Sequence, residues 1–171
     1  CYTNYERLEK LIFEYAERKD GVLMSYDVLD VCEYVIYYSN KKDYGISNLK
    51  LQKILYFIQA YFLINDPSRC CFGEKIEAWD IGPVIQKAYR AYKRFGGCDI
   101  PLLPELENKV NHSCILDQDK QLINAVIDKF ADYSAVDLYD LTILQSPWLD
   151  SYFPNLDREI TPETIKEYFE N

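Results

Sequence analysis

From Ser47 to Asn65 the chain runs without a glycine or a proline, and Leu51, Ile54, Leu55, Ile58 and Phe62 recur at three- and four-residue steps. That spacing stacks the five side chains on one face of an α-helix, and no strand reproduces it, because a strand repeats every second residue. Ser47 supplies an N-cap hydroxyl for the first-turn amides, and Asn65, Asp66 and Pro67 end the segment. So broad an apolar face must be covered by other elements, so 48–65 is expected to be the central helix of a helical core. On the same projection Lys50, Gln52 and Lys53 fall on the flank away from Leu51, Leu55 and Ile58, which predicts a solvated flank there.

The remaining periodicity predicts elements able to cover that helix. Residues 26–43 place Val28, Cys32, Val35 and Ser39 on one face, with Tyr37 opposite and Tyr34 toward its edge. A helix over 118–132 carries Leu122, Ile123, Val126, Ile127 and Phe130, and Ser134 with Asp137 caps a short helix to about 145, closed by Pro147. Thr161 and Pro162 open a last helix carrying Ile165 and Phe169. Residues 74–81 lose the helical period and suit a short strand, whose expected partner is Ile100–Leu103 or Cys114–Leu116. Gly82 and Pro83 are expected to turn the chain directly into a helix with Ile85, Ala88, Tyr89 and Tyr92 inward, stopped at Gly96 and Gly97. A proline-marked connection is expected over 98–116. The fold class is mainly α: a compact single-domain helical fold with a small β ribbon or sheet.

Residues 2–20 predict one more helix, with Thr3 and Glu6 as a capping box, Leu8, Leu11, Ile12 and Tyr15 on one face and Gly21 as its stop. It ends just before Met24, the sole methionine. Residues 1–23 are therefore read as an N-terminal helical extension and 24–171 as the domain.

The apolar runs are broken well short of the ~20 residues a membrane span requires, and the start of the sequence lacks the pattern of a secretory leader. Six cysteines at irregular spacing, in a chain large enough to fold without staples, fit free thiols in a reducing cytoplasm. The net charge of −9 is asymmetric: residues 1–102 carry 14 acidic and 14 basic side chains, and residues 103–171 carry 14 and 5. An acidic surface repels phosphate backbones and attracts a basic protein, so nucleic acid is not the expected partner. Sixteen tyrosines, each an apolar body with a polar tip, suit half-buried surfaces and interfaces.

Four places hold residue types that can carry chemistry. His112 and Cys114 lack a framing glycine and an orienting carboxylate for nucleophilic work. Cys70, Cys71, Cys98, His112 and Cys114 have neither the paired-knuckle spacing of structural zinc nor another ligand pattern, so no metal is expected. Gly82 alone does not make a phosphate cradle, and no P-loop lysine follows it. Lys87, Arg90 and Arg94 form a basic ridge on the side of their helix opposite Ile85, Ala88 and Tyr92, read first as a solvated face and otherwise as a dock for an acidic partner or RNA. Neither catalytic residues nor a cofactor site is assigned.

Three segments carry a resemblance: IleSerAsnLeuLysLeuGlnLysIleLeuTyrPheIleGlnAlaTyr at 46–61, GluAlaTrpAspIleGlyProValIle at 77–85, and ThrIleLeuGlnSerProTrp at 142–148. In combination, order and spacing they resemble the Panacea, or SocA-like, domain family of phage and bacterial antitoxins over about residues 24–171. The resemblance implies a non-catalytic antitoxin that neutralises a toxin by direct contact, with a cognate toxin as partner. Adaptors that deliver a partner to a protease also occur in such a family. The acidic C-terminal part alone suggests instead a phage counter-defence protein that mimics nucleic acid against a defence complex. The family often has a histidine after the threonine of the third segment, where this chain has Ile143. Partner-facing candidates are Lys50 and Lys53 of the first segment, Trp79 and Asp80 of the second, and Tyr37 and Arg90 from the neighbouring helices.

Overall fold

A computed structural model describes residues 25–111 and 113–171. The expected helix over 2–20 and His112 lie outside them. The elements are α1 (Val28–Lys41), α2 (Asn48–Asn65), β1 (Ile76–Trp79), β2 (Gly82–Val84), α3 (Gln86–Tyr92) with a 3-10 turn at Lys93–Phe95, α4 (Pro104–Asn111), α5 (Asp117–Lys129), α6 (Ala135–Ile143), α7 (Ser146–Leu149), β3 (Glu159–Ile160) and α8 (Pro162–Glu170). The fold is mainly α with a small sheet, as the sequence predicts.

Helix α2 is central. It packs against α1, α3, α5, α6, α8 and β2, so its surroundings close on every side and even its polar residues are enclosed. Leu51, Ile54, Leu55, Ile58 and Phe62 are all buried, as are Val28, Cys32, Val35 and Ser39 of α1. Ser47 caps α2 by accepting from the Lys50 amide. Phe57 on α2 stacks on Phe130 at the end of α5, with ring centroids 4.3 Å apart.

The tyrosines find a use on the seam between α1 and α5. Tyr34 donates to Asn124 at 2.7 Å, while Tyr38 and Tyr44 both donate to the Asp128 carboxylate. Each ring packs against the core and each hydroxyl meets a polar group at the rim. Beside this seam, Tyr26 forms a bridge with Phe72, and its hydroxyl donates to Asp119 on α5.

The strand expectation needs correction in its partners. β1 is the middle strand of an antiparallel sheet of order β2-β1-β3, with Trp79 opposite Gly82 and Ile76 opposite Ile160. Gly82 and Pro83 therefore complete a hairpin rather than start a helix, and α3 begins only at Gln86. Gly82 sits at φ +91°, a conformation that a residue with a Cβ adopts only under strain. The connection expected over 98–116 contains α4, whose Leu106 and Val110 alone face the core. Pro147 does not merely close α6, because it lies inside the short helix α7.

The cap expected for α6 is present as a complete box. Ser134 accepts from the Asp137 amide, and Asp137 accepts from the Ser134 amide. Ser134→Ala is expected to lower stability by roughly 1 kcal/mol, read as a drop in melting temperature. An unchanged melt would mean that the α6 N-terminus draws nothing from this hydroxyl.

Candidate functional site

The three sequence segments meet in space. The first lies on α2, the second forms the β1–β2 hairpin with its exit to α3, and the third spans the end of α6 and α7. Polar side chains on α2 hold the other two in place. Gln52 accepts from the Ile85 amide at 3.0 Å and donates to Asn48, which in turn donates to the Tyr89 carbonyl. Lys53 donates to the Pro83 carbonyl at 3.0 Å. Tyr56 donates to Gln145 at 2.7 Å, which ties α2 to the third segment. Trp148 donates to the Trp79 carbonyl at 2.9 Å, closing the third segment onto the hairpin.

These contacts correct the solvated flank expected at Lys50, Gln52 and Lys53, because all three are buried. Lys50 is 8% exposed and donates to the Ala131 carbonyl at 3.0 Å. Lys53 is fully enclosed, so a partner does not reach its head group without opening the fold. The physical reason is that α2 is surrounded, so its second face meets loop carbonyls and amides rather than water.

Enclosure has an electrostatic consequence. Desolvation pushes the Lys53 amine down to about 7. Its Cε and Nζ lie 3.0 Å from where a Cβ on Gly82 would stand, and the Thr142 hydroxyl lies 3.2 Å from that point. Gly82 is thus required twice, by its backbone angle and by the space the lysine fills. Burial also lowers Lys50, against the pull of Asp99, Asp132 and Asp137.

The outer rim of the site is polar and accessible. Asp80 is exposed at the hairpin tip and accepts from Tyr152 at 2.6 Å. Tyr152 stacks on Trp148 at 4.3 Å, and that bond to Asp80 raises its phenol. Trp79 is half-buried, its indole donating to Glu77 and its ring meeting Tyr89 edge-on at 5.3 Å. Tyr37 is half-buried on α1 with Lys41 over its ring, and Arg90 is exposed on α3. Among the described residues no hydrogen bond or ion pair joins either of them to Asp80. The predicted basic ridge is partly neutralised, since Lys87 pairs with Asp27 and Glu74.

Asn48, Gln145 and Tyr152 also belong to this network, although the sequence does not single them out. Gln145 stands inside the third segment and could have been found as a polar residue flanked by apolar ones, whereas Tyr152 carried no distinguishing signal. Of the cysteines weighed for zinc, Cys71 is buried and Cys98 exposed, and no group of three or more potential ligands is placed to hold a metal among the described residues.

Residues 51–149 match the family described as antitoxin SocA-like, Panacea domain. The chain belongs to this family. The match contains the second and third segments whole and begins within the first, so the Panacea domain corresponds to the part of the fold in which α2, the hairpin and α6–α7 lock together. Antitoxin SocA of Caulobacter vibrioides (strain NA1000 / CB15N) is 44% identical over 54 residues, which is 32% of this chain and 28% of that protein. The chain therefore aligns with less than a third of that curated relative's length. No solved structure matches the chain. Among the described residues no helix is long and apolar enough to cross a membrane.

Proposed function

We propose that this chain is a cytoplasmic antitoxin that neutralises a partner toxin by direct, non-catalytic protein–protein contact. The observation that carries the reading is the Panacea-domain match over residues 51–149. The geometry supports it: Lys53, Gln52, Tyr56, Gln145 and Trp148 are occupied in fastening the fold, while Asp80 and Trp79 stand at its rim. Contact then falls to Trp79, Asp80, Tyr37 and Arg90, and the buried Lys50 and Lys53 act by holding the surface that carries them. The domain spans 24–171 in this reading.

The test is co-expression with the toxin encoded beside the gene, scored as growth, together with co-purification of the pair. Asp80→Ala is expected to weaken the complex about tenfold or more in Kd while shifting stability by only ~0.5 kcal/mol, because it removes an exposed charge. Growth rescue without a detectable complex, or a chemical change on the toxin, would mean that contact is not the mechanism.

A further inference from the structure

The described residues with large, exposed apolar side chains are concentrated in one stretch. Val136 is 61% exposed, Leu144 75%, Leu149 54%, Phe153 53% and Leu156 51%. Scattered single apolar residues are normal on a surface, whereas apolar residues that share one exposed helix face present a surface for a partner. Helix α6 turns Leu138 and Thr142 into the core. Val136, Asp140 and Leu144 follow one another at four-residue steps on its other side and form a ridge.

Phe153 and Leu156 in the loop after α7 are exposed as well. Asn155 at φ +63° and Asp157 at φ +36° adopt left-handed backbone conformations without being glycine. Asn and Asp adopt these angles more readily than other residues with a Cβ, so the turn is encoded in the loop's own sequence. Here both ends of the loop are fastened. Tyr152 is held by Trp148 and Asp80, and the Arg158 carbonyl accepts from the Ala78 amide at 2.8 Å. Phe153 and Leu156 are thus presented outward from a fixed loop.

Charge identifies what covers the surface. From Phe130 to Asp157 the sequence holds Asp132, Asp137, Asp140, Asp150 and Asp157, and no lysine or arginine. Among the described residues none of the five forms a salt bridge. Arg158 lies over the Phe153 ring at 5.1 Å, so the part of the surface that carries acids without bases is α6 and α7, and an apolar ridge studded with acids there is complementary to an apolar stripe flanked by bases. A second copy of this chain would bring the same acids to the same surface, and like charges facing one another oppose that pairing.

We propose that the outer face of α6 and α7 is the docking surface for a basic amphipathic segment of the partner protein. This rests on the contact reading above and names the chemistry of the contact. The side chain of Leu144 anchors in the apolar stripe of the partner, and Asp140 and Asp137 meet its lysines or arginines.

The test uses the full chain and a labelled Leu/Lys amphipathic helical peptide of about 15 to 20 residues, followed by fluorescence anisotropy. A Lys/Ser peptide of equal charge and a Leu/Glu peptide of equal pattern serve as comparisons. The Leu/Lys peptide is expected to bind about tenfold or more tightly than either. The double variant Val136→Ser with Leu144→Ser should lose that advantage, and Asp140→Lys should weaken binding and flatten its salt dependence. Ile64→Ser, an exposed apolar position on α2, should leave binding unchanged. Equal binding of the Leu/Lys and Lys/Ser peptides overturns the proposal, as does full binding by the double variant with an unaltered melt. A native dimer that the double variant splits, with no peptide binding, also overturns it in favour of self-association. Co-expression separates this proposal from the contact reading. A double variant that still neutralises and co-purifies with the toxin sinks this surface and leaves the contact reading standing. Peptide binding lost in the double variant, with no complex between native chain and toxin, keeps the surface and removes the contact reading.

Discussion

Asp119→Ala is expected to destabilise the fold by about 3 to 5 kcal/mol, the cost of removing one partner from a buried ion pair. The carboxylate is 5% exposed at the start of α5, and Arg69 grips it through both guanidinium branches, at 2.9 Å to one oxygen and 2.5 Å to the other. Tyr26 donates its hydroxyl to the same carboxylate and accepts from the Leu116 amide at 3.2 Å. Burial and the Asp119 hydrogen bond hold the Tyr26 phenol well above its ordinary value, so it stays a donor at any physiological pH. Alanine leaves a guanidinium in a largely desolvated place and removes the acceptor from a buried hydroxyl. The carboxylate also favours the N-terminal end of α5, where the backbone amides are unpaired. Equilibrium urea unfolding of the native chain and of Asp119→Ala reads the effect directly. Replacing both members, Arg69→Met with Asp119→Leu, should recover much of the loss, because no lone charge is left behind. A single-variant loss below ~1 kcal/mol would show that water or another group satisfies Arg69.

That cluster marks a limit of what the sequence reveals. Asp119 reads there as an ordinary acidic residue in a first helical turn, and Arg69 as part of a polar turn after Pro67. Fifty residues separate the two along the chain. Elements whose signals are local were legible: Ser47 and Ser134 mark helix starts because the cap bond lies within three residues. Helix α1 was legible because its buried stripe repeats at the helical period. α4 was not, since only Leu106 and Val110 interrupt its charged and polar residues. The sheet partner escaped for a similar reason, because β3 is two residues long and too short to show alternation.

The site was half legible. The three segments are legible in the sequence, and the structure brings them together, but Lys50, Gln52 and Lys53 of α2 were assigned to water. A helical projection assumes that one face is wet, and α2 has none over most of its length. Lys50, Gln52, Lys53 and Gln59 are spaced as a polar flank would be, and each instead binds backbone groups of a neighbouring loop or strand. Buried polar side chains survive in this way only when paired. The same assumption conceals the outer face of α6, where Val136 and Leu144 look like core residues until Leu138 and Thr142 are seen to take that role.

The stability of the native chain relative to Lys53→Met is expected to rise by roughly 1.4 kcal/mol per pH unit between about pH 7 and pH 10. Lys53 is enclosed against Pro83 and Gly82, and desolvation alone brings its amine to about 7 from an ordinary 10.5. Below pH 7 both the folded and the unfolded chain hold the proton, so the folded state bears the full cost of a buried ammonium. Between the two values the unfolded chain holds a proton that the folded chain has released. Stability therefore climbs with pH across that window and levels off above it. The comparison with methionine isolates this group. Burial raises the thiols of Cys32 and Cys71, which erodes stability above about pH 9, but both chains share that loss and it cancels in the difference. The Pro83 carbonyl loses its donor in the variant at every pH, so it shifts the difference without tilting it. Urea unfolding of both chains at half-unit steps should show Lys53→Met as the more stable at pH 6.5 and the native chain overtaking it toward pH 10. A difference independent of pH would show that the amine keeps its ordinary value, and with it that the lysine is wetted in the folded chain.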